Sequence, residues 1–156
     1  MTEETSLPES SFFFASPEDL EAVVHLLGEC GLPHEDIGKH LPGLIVARHY
    51  GRLIGTIALE VYKEVGLLRS LAVAPEQRNR GLGKALYERI VAYAQLRGVE
   101  TLYLLTTTAS EYFSKLGFQV LDRKQVPAEI GATEEFRGLC PSSAVCLSKK
   151  LCKDGR

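Results

Sequence analysis

The stretch GLLRSLAVAPEQRNRGLGKAL, residues 66–86, constrains the fold more than any other part of the chain. An apolar run, Leu67, Leu68, Leu71 and Val73, stops at Pro75, and a short loop carrying Arg78, Arg80, Gly81 and Gly83 leads straight into a helical pattern. The order is strand, glycine loop, helix N-terminus. The first backbone N–H groups of a helix have no partner within it, so this order presents donors that suit a phosphate. Glycines let the backbone approach such an anion, and Arg78, Arg80 and Lys84 add positive charge around it.

Spacing narrows the choice of ligand. The P-loop needs a glycine five residues before Gly-Lys-Ser/Thr, but position 78 is arginine and Ala85 follows Lys84. The dinucleotide fingerprint needs a third small residue after Gly81 and Gly83, where this chain has Leu86, and no acidic ribose partner follows about 20 residues on in a suitable strand. What remains, Arg78-x-x-Gly81-x-Gly83 after a strand, resembles the Arg/Gln-x-x-Gly-x-Gly/Ala pyrophosphate loop of the GNAT superfamily of acetyl-CoA-dependent N-acetyltransferases. Taken alone, the loop has a plainer alternative, a glycine-bearing turn between a strand and a surface helix.

The chain has 156 residues, 45% hydrophobic and 24% charged, as expected for one soluble globular domain. A formal charge of -2 leaves no electrostatic footprint for nucleic acid, which favours small-molecule chemistry. No apolar segment reaches the roughly 18 residues of a membrane span, and the N-terminus MTEETSLPES is acidic and polar, so a cytoplasmic location without a membrane partner is expected. Cys140, Cys146 and Cys152 fall at equal intervals, which invites a thiolate metal or arsenical site. Six residues of extended chain span about 20 Å, so neighbouring members cannot share one metal unless the chain folds back. No metal site is expected. Cys146 reads as a buried strand residue and Cys30 as part of the apolar side of the first helix.

In chain order, a polar tail of residues 1–10 precedes the aromatic strand SFFFA. Ser16-Pro17-Glu18-Asp19 supplies an N-cap, a first-turn proline and acid, followed by Leu20, Val23, Val24 and Leu27 at helical spacing, with an end near Gly31. LPHEDIGKHLPG predicts a short second helix; His34 and His40 are solvated loop residues or site residues. GLIVARHY, a Gly51-Arg52 turn and LIGTIALEVYKE form a hairpin, and a turn near Val65-Gly66 brings in the opening strand. Beyond the loop, Leu82, Leu86, Ile90, Tyr93 and Ala94 mark a helix that stops at Gly98. ETLYLLTT is a strand, residues 110–116 a short helix, FQVLDR a strand, residues 127–139 a proline-initiated helix, and SAVCLSK the last strand. The fold class is α/β, a mixed sheet with helices on both faces.

This order resembles the GNAT fold over residues 11–150, which implies one domain with a mostly antiparallel sheet of six to seven strands and a short tail at 151–156. ASEYFSKLGF, residues 109–118, is similar to the superfamily's second motif, an aromatic helix turning into Gly-Phe and a strand. The strings GLLRSLAV, LYLLTTTASEYFSKLGF and VPAEIGATEEFRGLCPSSAVCLSK are similar to acetyltransferases associated with arsenic-resistance operons. LCPSSAVC distantly resembles the end of short N-acetylglutamate synthases. Both resemblances imply amino-acid-like substrates.

The resemblance also implies roles. Backbone groups of Leu71, Ala72 and Val73 would pair with pantetheine, with the Val73 N–H as oxyanion donor; Arg78, Asn79, Arg80, Gly81, Leu82, Gly83 and Lys84 would hold the pyrophosphate. A substrate ammonium must lose its proton, and Glu60 is the first candidate base, Glu64 the second; a solvated strand carboxylate is the alternative reading. Many relatives place a tyrosine general acid where this chain has Phe113. Phe113 is expected against the cofactor, with Tyr112, Tyr103, water or the substrate protonating the thiolate; adjacent helical residues point about 100° apart, so Tyr112 is no simple substitute.

Arg69 interrupts an apolar strand, with the parity of Leu71 and Val73, and wants an anion: a substrate carboxylate, or an internal bridge to Glu60 or Glu111. Thr106, Thr107 and Thr108 offer hydroxyls to cofactor or substrate, or cap the next helix. The activity expected is transfer of acetyl from acetyl-CoA to a small amino-acid-like amine by direct attack in a ternary complex, since no cysteine lies in the strand or loop. Acetylation of protein N-termini or lysines, and non-catalytic sensing of acetyl-CoA or an arsenical, are the alternatives. The chain is expected to be a monomer or homodimer.

Overall fold

The computed structural model describes residues 10–151. Strand β1 covers Ser10–Phe14. The capping signal then works as read: the Ser16 N–H donates to Asp19 Oδ2 at 2.8 Å, a 3-10 turn spans Pro17–Asp19, and α1 runs over Leu20–Glu29. The Ser16 N–H, and after it the Arg48 guanidinium, hold the Asp19 carboxyl below its ordinary range. The segment with two histidines forms a 3-10 helix over Ile37–Gly43.

Strands β2, Leu44–His49, and β3, Arg52–Tyr62, pair antiparallel. Their turn is Tyr50-Gly51, one residue before the expected Gly51-Arg52, with φ of 52° and 78°. Both central residues are left-handed, the conformation whose twist suits a two-residue hairpin. Strand β4, Val65–Val73, likewise starts two residues early, after left-handed Lys63 (φ 60°). Helix α2 spans Leu82–Leu96, β5 Thr101–Thr106, α3 Ser110–Lys115, and β7, the last strand, Val145–Lys150.

The connection into that last strand departs from expectation. FQVLDR yields only the two-residue strand β6, Gln119–Val120. The single helix expected over 127–139 is two pieces, α4 at Ala128–Gly131 and a π-type turn at Glu135–Leu139. Thr133 causes the break: its hydroxyl donates to the Ile130 carbonyl at 2.7 Å and its Oγ1 accepts the Phe136 N–H at 3.4 Å. Past the break, Glu135 is buried.

The seven strands form a sheet of order β1-β2-β3-β4-β5-β7-β6. β4 and β5 are parallel, whereas β1–β2, β2–β3, β5–β7 and β6–β7 are antiparallel. The architecture is mixed α/β with a mostly antiparallel open sheet. The chain divides into two compact units, one reaching Leu59 and including Ser70–Val91, the other built of Glu60–Arg69 and the residues from Ala92 onward. The first has a core of Leu27, Ile37, Leu44, Ile54, Ile57, Leu82, Leu86 and Ile90; the second centres on Leu67, Leu68, Leu102 and Leu104. Each such side chain contributes about 1.5–3 kcal/mol by leaving water. In the first unit, Gly55 seats α2 on β3: a Cβ there would lie 2.9 Å from Leu86 Cδ1 and 3.0 Å from Leu82 Cδ2. No helix among the described residues is long and apolar enough to cross a membrane.

Candidate active site

Among the described residues the β4–β5 ladder covers Val65–Leu67 against Thr101–Tyr103, although β4 continues to Val73. Three residues beyond the last pair, Ser70 is left-handed, with φ 61°. A left-handed residue inside a strand breaks the two-residue alternation. The shared parity expected for Arg69, Leu71 and Val73 therefore does not hold: Arg69 is buried and the other two half-buried. The Thr56 hydroxyl donates to the Ser70 carbonyl at 2.8 Å, and the Ala74 N–H to the Ile54 carbonyl at 2.8 Å, so β3 secures this part of β4 on both sides.

The glycine loop follows a 3-10 turn at Pro75–Gln77. Asn79 and Gly81 are both left-handed (φ 66° and 84°), and a Cβ on Gly81 would meet nothing within 4 Å. The Ala85 N–H donates to the Gly81 carbonyl at 3.0 Å, which leaves the N–H groups of Leu82, Gly83 and Lys84 ahead of that helical bond. Arg80 and Lys84 are exposed beside them. Open backbone, the first N–H groups of a helix and two cations fit a diphosphate. Leu82 can offer only its N–H, because its side chain is core. Arg78 is exposed; its Nε donates to the Val73 carbonyl at 3.1 Å, and a terminal nitrogen lies 3.4 Å from Cys30 Sγ. The Cys30 thiol itself lies 3.8 Å from the Val73 carbonyl. The strand and loop contain no cysteine, but the end of α1 brings one to them.

The second unit holds the candidate acid–base groups. The Arg69 side chain is fully buried; one terminal nitrogen reaches Glu60 Oε2 at 2.8 Å and Nε reaches Glu135 Oε2 at 3.2 Å. Glu60 Oε1 accepts the Tyr62 hydroxyl. Arg69 thus has an internal anion in Glu60, as one reading allowed, and a second in Glu135, which none anticipated; Glu111 is exposed on α3. Glu60 is buried, not a solvated strand carboxylate. Glu64 lies in the turn that opens β4, where its carbonyl accepts the Glu100 N–H at 2.6 Å. The Cys140 thiol donates to Glu135 Oε1 at 3.6 Å, and burial, then the Glu135 charge, push it up to about 12. Burial likewise raises the Cys146 thiol to about 11.

Comparison with known proteins decides the family. The model of the acetyltransferase (GNAT) family matches residues 6–118. The chain belongs to the GNAT acetyltransferase family. An uncharacterised N-acetyltransferase of Chlorobaculum tepidum is 33% identical over 97 residues, 62% of each chain. An amino-acid acetyltransferase of Pseudomonas aeruginosa is 31% identical over 132 residues, 79% of this chain and 31% of the relative. Among solved structures, N-acetylglutamate synthase of Neisseria gonorrhoeae, complexed with coenzyme A and N-acetyl-glutamate, superposes with TM-score 0.80 at 25% identity, covering 92% of this chain and 35% of that one. This chain therefore spans less than two thirds of the length of these relatives.

GNAT enzymes use acetyl-CoA. The remaining residues singled out in the sequence are placed as follows. Thr106 braces the turn before α3: its Oγ1 accepts the Ala109 N–H at 2.9 Å and the Thr108 N–H at 3.4 Å, while Thr107 and Thr108 are exposed. Phe113 is buried edge-on against Phe118, with ring centroids 5.6 Å apart, and Tyr112 stands exposed at its other side at 5.3 Å. Burial raises the Tyr103 hydroxyl above its usual value, so it stays protonated at neutral pH. His40 lies 3.4 Å from Asp36, and His34 faces Gly28. Cys152 lies outside the described residues. Glu135 and Cys30 are what sequence reasoning missed. Glu135 was hidden by the helix drawn through Thr133, and nothing in the spacing of Cys30 signals its reach to Val73.

Proposed function

We propose that this GNAT enzyme transfers the acetyl group of acetyl-CoA to the amine of a small amino-acid-like molecule, by direct attack within a ternary complex. The observation that carries the reading is the left-handed Asn79–Gly81 loop opening a 15-residue helix immediately after a strand whose ladder to β5 has ended. The N–H groups of Leu82, Gly83 and Lys84, with the charges of Arg80 and Lys84, would bind the diphosphate. Arg78, which donates to the Val73 carbonyl at the end of the strand, would add its charge to theirs. Backbone groups of Leu71, Ala72 and Val73 would align the pantetheine arm, and the Val73 N–H would donate to the thioester oxygen as negative charge develops there. We take residues 11–150 as one catalytic domain.

Glu60 is the proposed base, taking a proton from the substrate ammonium directly or through water; Arg69 donates to one of its oxygens and the Tyr62 hydroxyl to the other, which fixes the carboxylate in place. The amine nitrogen then forms the new bond to the carbonyl carbon, the carbon–sulfur bond breaks, and the extra proton left on that nitrogen passes to the thiolate, directly or relayed through Tyr112, Tyr103 or water. Arg69 is already held by Glu60 and Glu135, so a substrate carboxylate would have to share it. Thr106 and Thr107 border the end of β5 as the remaining substrate-side candidates. The amino-acid acetyltransferases among the relatives, and the synthase bound to N-acetyl-glutamate, support an amino-acid-like acceptor.

The test is a thiol-release assay with acetyl-CoA across free amino acids, glutamate included, alongside peptides with free N-termini. Turnover on an amino acid with intersecting initial-rate lines is expected. Turnover on peptides alone would replace the acceptor class. Saturable acetyl-CoA binding without turnover on any amine would make the protein a sensor. Parallel lines abolished by Cys30→Ala would show an acyl-enzyme and overturn direct attack.

A further inference from the structure

Thr56 is fully buried on β3, and its hydroxyl is spent on one carbonyl, that of Ser70, at 2.8 Å. Ser70 is the left-handed residue of β4, and left-handed conformations are unfavourable for residues with a Cβ. Serine has no shape that prefers this state as glycine does, so something must hold it there. The neighbouring contacts show what holds it. One residue before Thr56, Gly55 lies against the Ala72 carbonyl, 3.3 Å from where a Cβ would stand, and two before, the Ile54 carbonyl accepts the Ala74 N–H at 2.8 Å.

We infer that Thr56 is a positioning residue for acetyl-CoA: by holding the Ser70 carbonyl it locks the left-handed kink that aims Leu71, Ala72 and Val73 at the pantetheine arm. A strand without the kink would regain strict alternation, which exchanges the two faces of every residue after it. Leu71–Val73 would then present the wrong edge, although no residue that touches the cofactor had changed. A side chain acting through backbone conformation should shift acetyl-CoA recognition without altering the acceptor amine. The inference rests on the proposed role of Leu71–Val73, and the experiment keeps the two separable.

The wild type, Thr56→Val, Thr56→Ser and the double variant Thr56→Val/Ser70→Gly are compared by calorimetric titration with acetyl-CoA and by steady-state kinetics. Valine keeps the volume and removes the donor, and the far-UV spectrum reports whether the fold is kept. We expect Thr56→Val to raise the Kd and KM for acetyl-CoA about tenfold, the effect of losing about 1.4 kcal/mol, with the acceptor KM within about twofold of the wild type. Thr56→Ser, which keeps the hydroxyl, should stay within about threefold. Ser70→Gly should recover much of the loss in the valine background, because glycine adopts the left-handed conformation without the bond. Recovery by glycine is the readout that loss of packing would not give. Unchanged acetyl-CoA affinity in Thr56→Val would overturn the inference and leave the site standing. An equal rise in both KM values without glycine recovery would also overturn it. A wild type that bound no acetyl-CoA would remove the site and the inference together. If valine prevents folding, Thr56→Ser against Thr56→Ala, each with and without Ser70→Gly, decides by the same criteria.

Discussion

Arg69 shows how burial turns a sequence oddity into a requirement. Its guanidinium sits between two buried carboxylates, and removing the cation would leave Glu60 and Glu135 without their shared counter-charge. Arg69→Met should therefore cost about 3–5 kcal/mol in urea unfolding, the cost of breaking a buried pair by deleting one partner. Adding Glu135→Gln should return part of that loss. An arginine in an apolar strand was legible as needing an anion, and Glu60 was legible as one candidate. Glu135 was not, because its inward turn depends on the Thr133 side chain outcompeting the helix, a local balance that periodicity does not report. The cysteines add a prediction with a definite sign. Folding raises the Cys140 and Cys146 thiols from 9.0 to about 12 and about 11, so the folded state binds more protons than the unfolded chain in alkali. Stability is intact below pH 9 and falls as pH rises towards 11 and 12. Cys140→Ala should flatten that decline in urea unfolding series between pH 8 and pH 11; an unchanged slope would refute the assignment.

At the level of elements, the junction of β3, β4 and α2 carries the cofactor argument. Gly55 lets Leu82 and Leu86 lie on β3, and the N-terminus of α2 stands where those two leucines put it. Gly55→Ala should cost about 1–3 kcal/mol through overpacking, seen as a lower urea midpoint, and should weaken acetyl-CoA binding as α2 is displaced. Gly81→Ala tests the loop in another way: space is open there, so only the left-handed backbone resists, at about 1–2 kcal/mol. Its effect should appear mainly in acetyl-CoA affinity. Most of these elements could be read from the chain, because capping residues, glycine stops and apolar periodicity are local signals. Hairpin turns slipped by one or two residues, since Tyr50 and Lys63 adopt left-handed conformations that composition assigns to glycine. The kink at Ser70 was invisible for the same reason. Its cause, the Thr56 hydroxyl, lies 14 residues away along the chain.

For the whole molecule, strand order was the part that chain order could not supply. β7 pairs with both β5 and β6, a placement that joins the last strand to one formed long before it, and only the resemblance to a known fold implied such a sheet. The same order explains why ligand binding should register globally. β3 and β4 each contribute residues to both compact units, so neither unit owns a complete pair of these strands. Calorimetry of the free chain should accordingly show one cooperative transition, not two. Acetyl-CoA at about 100 times its Kd should stabilise the folded state by ~2.7 kcal/mol, which for a chain of this size is a rise of roughly 5–11 °C in Tm. The whole transition should move together, because strands that belong to both units cannot melt in one and persist in the other. Two resolved transitions, with acetyl-CoA shifting only one, would show that the cofactor half folds by itself.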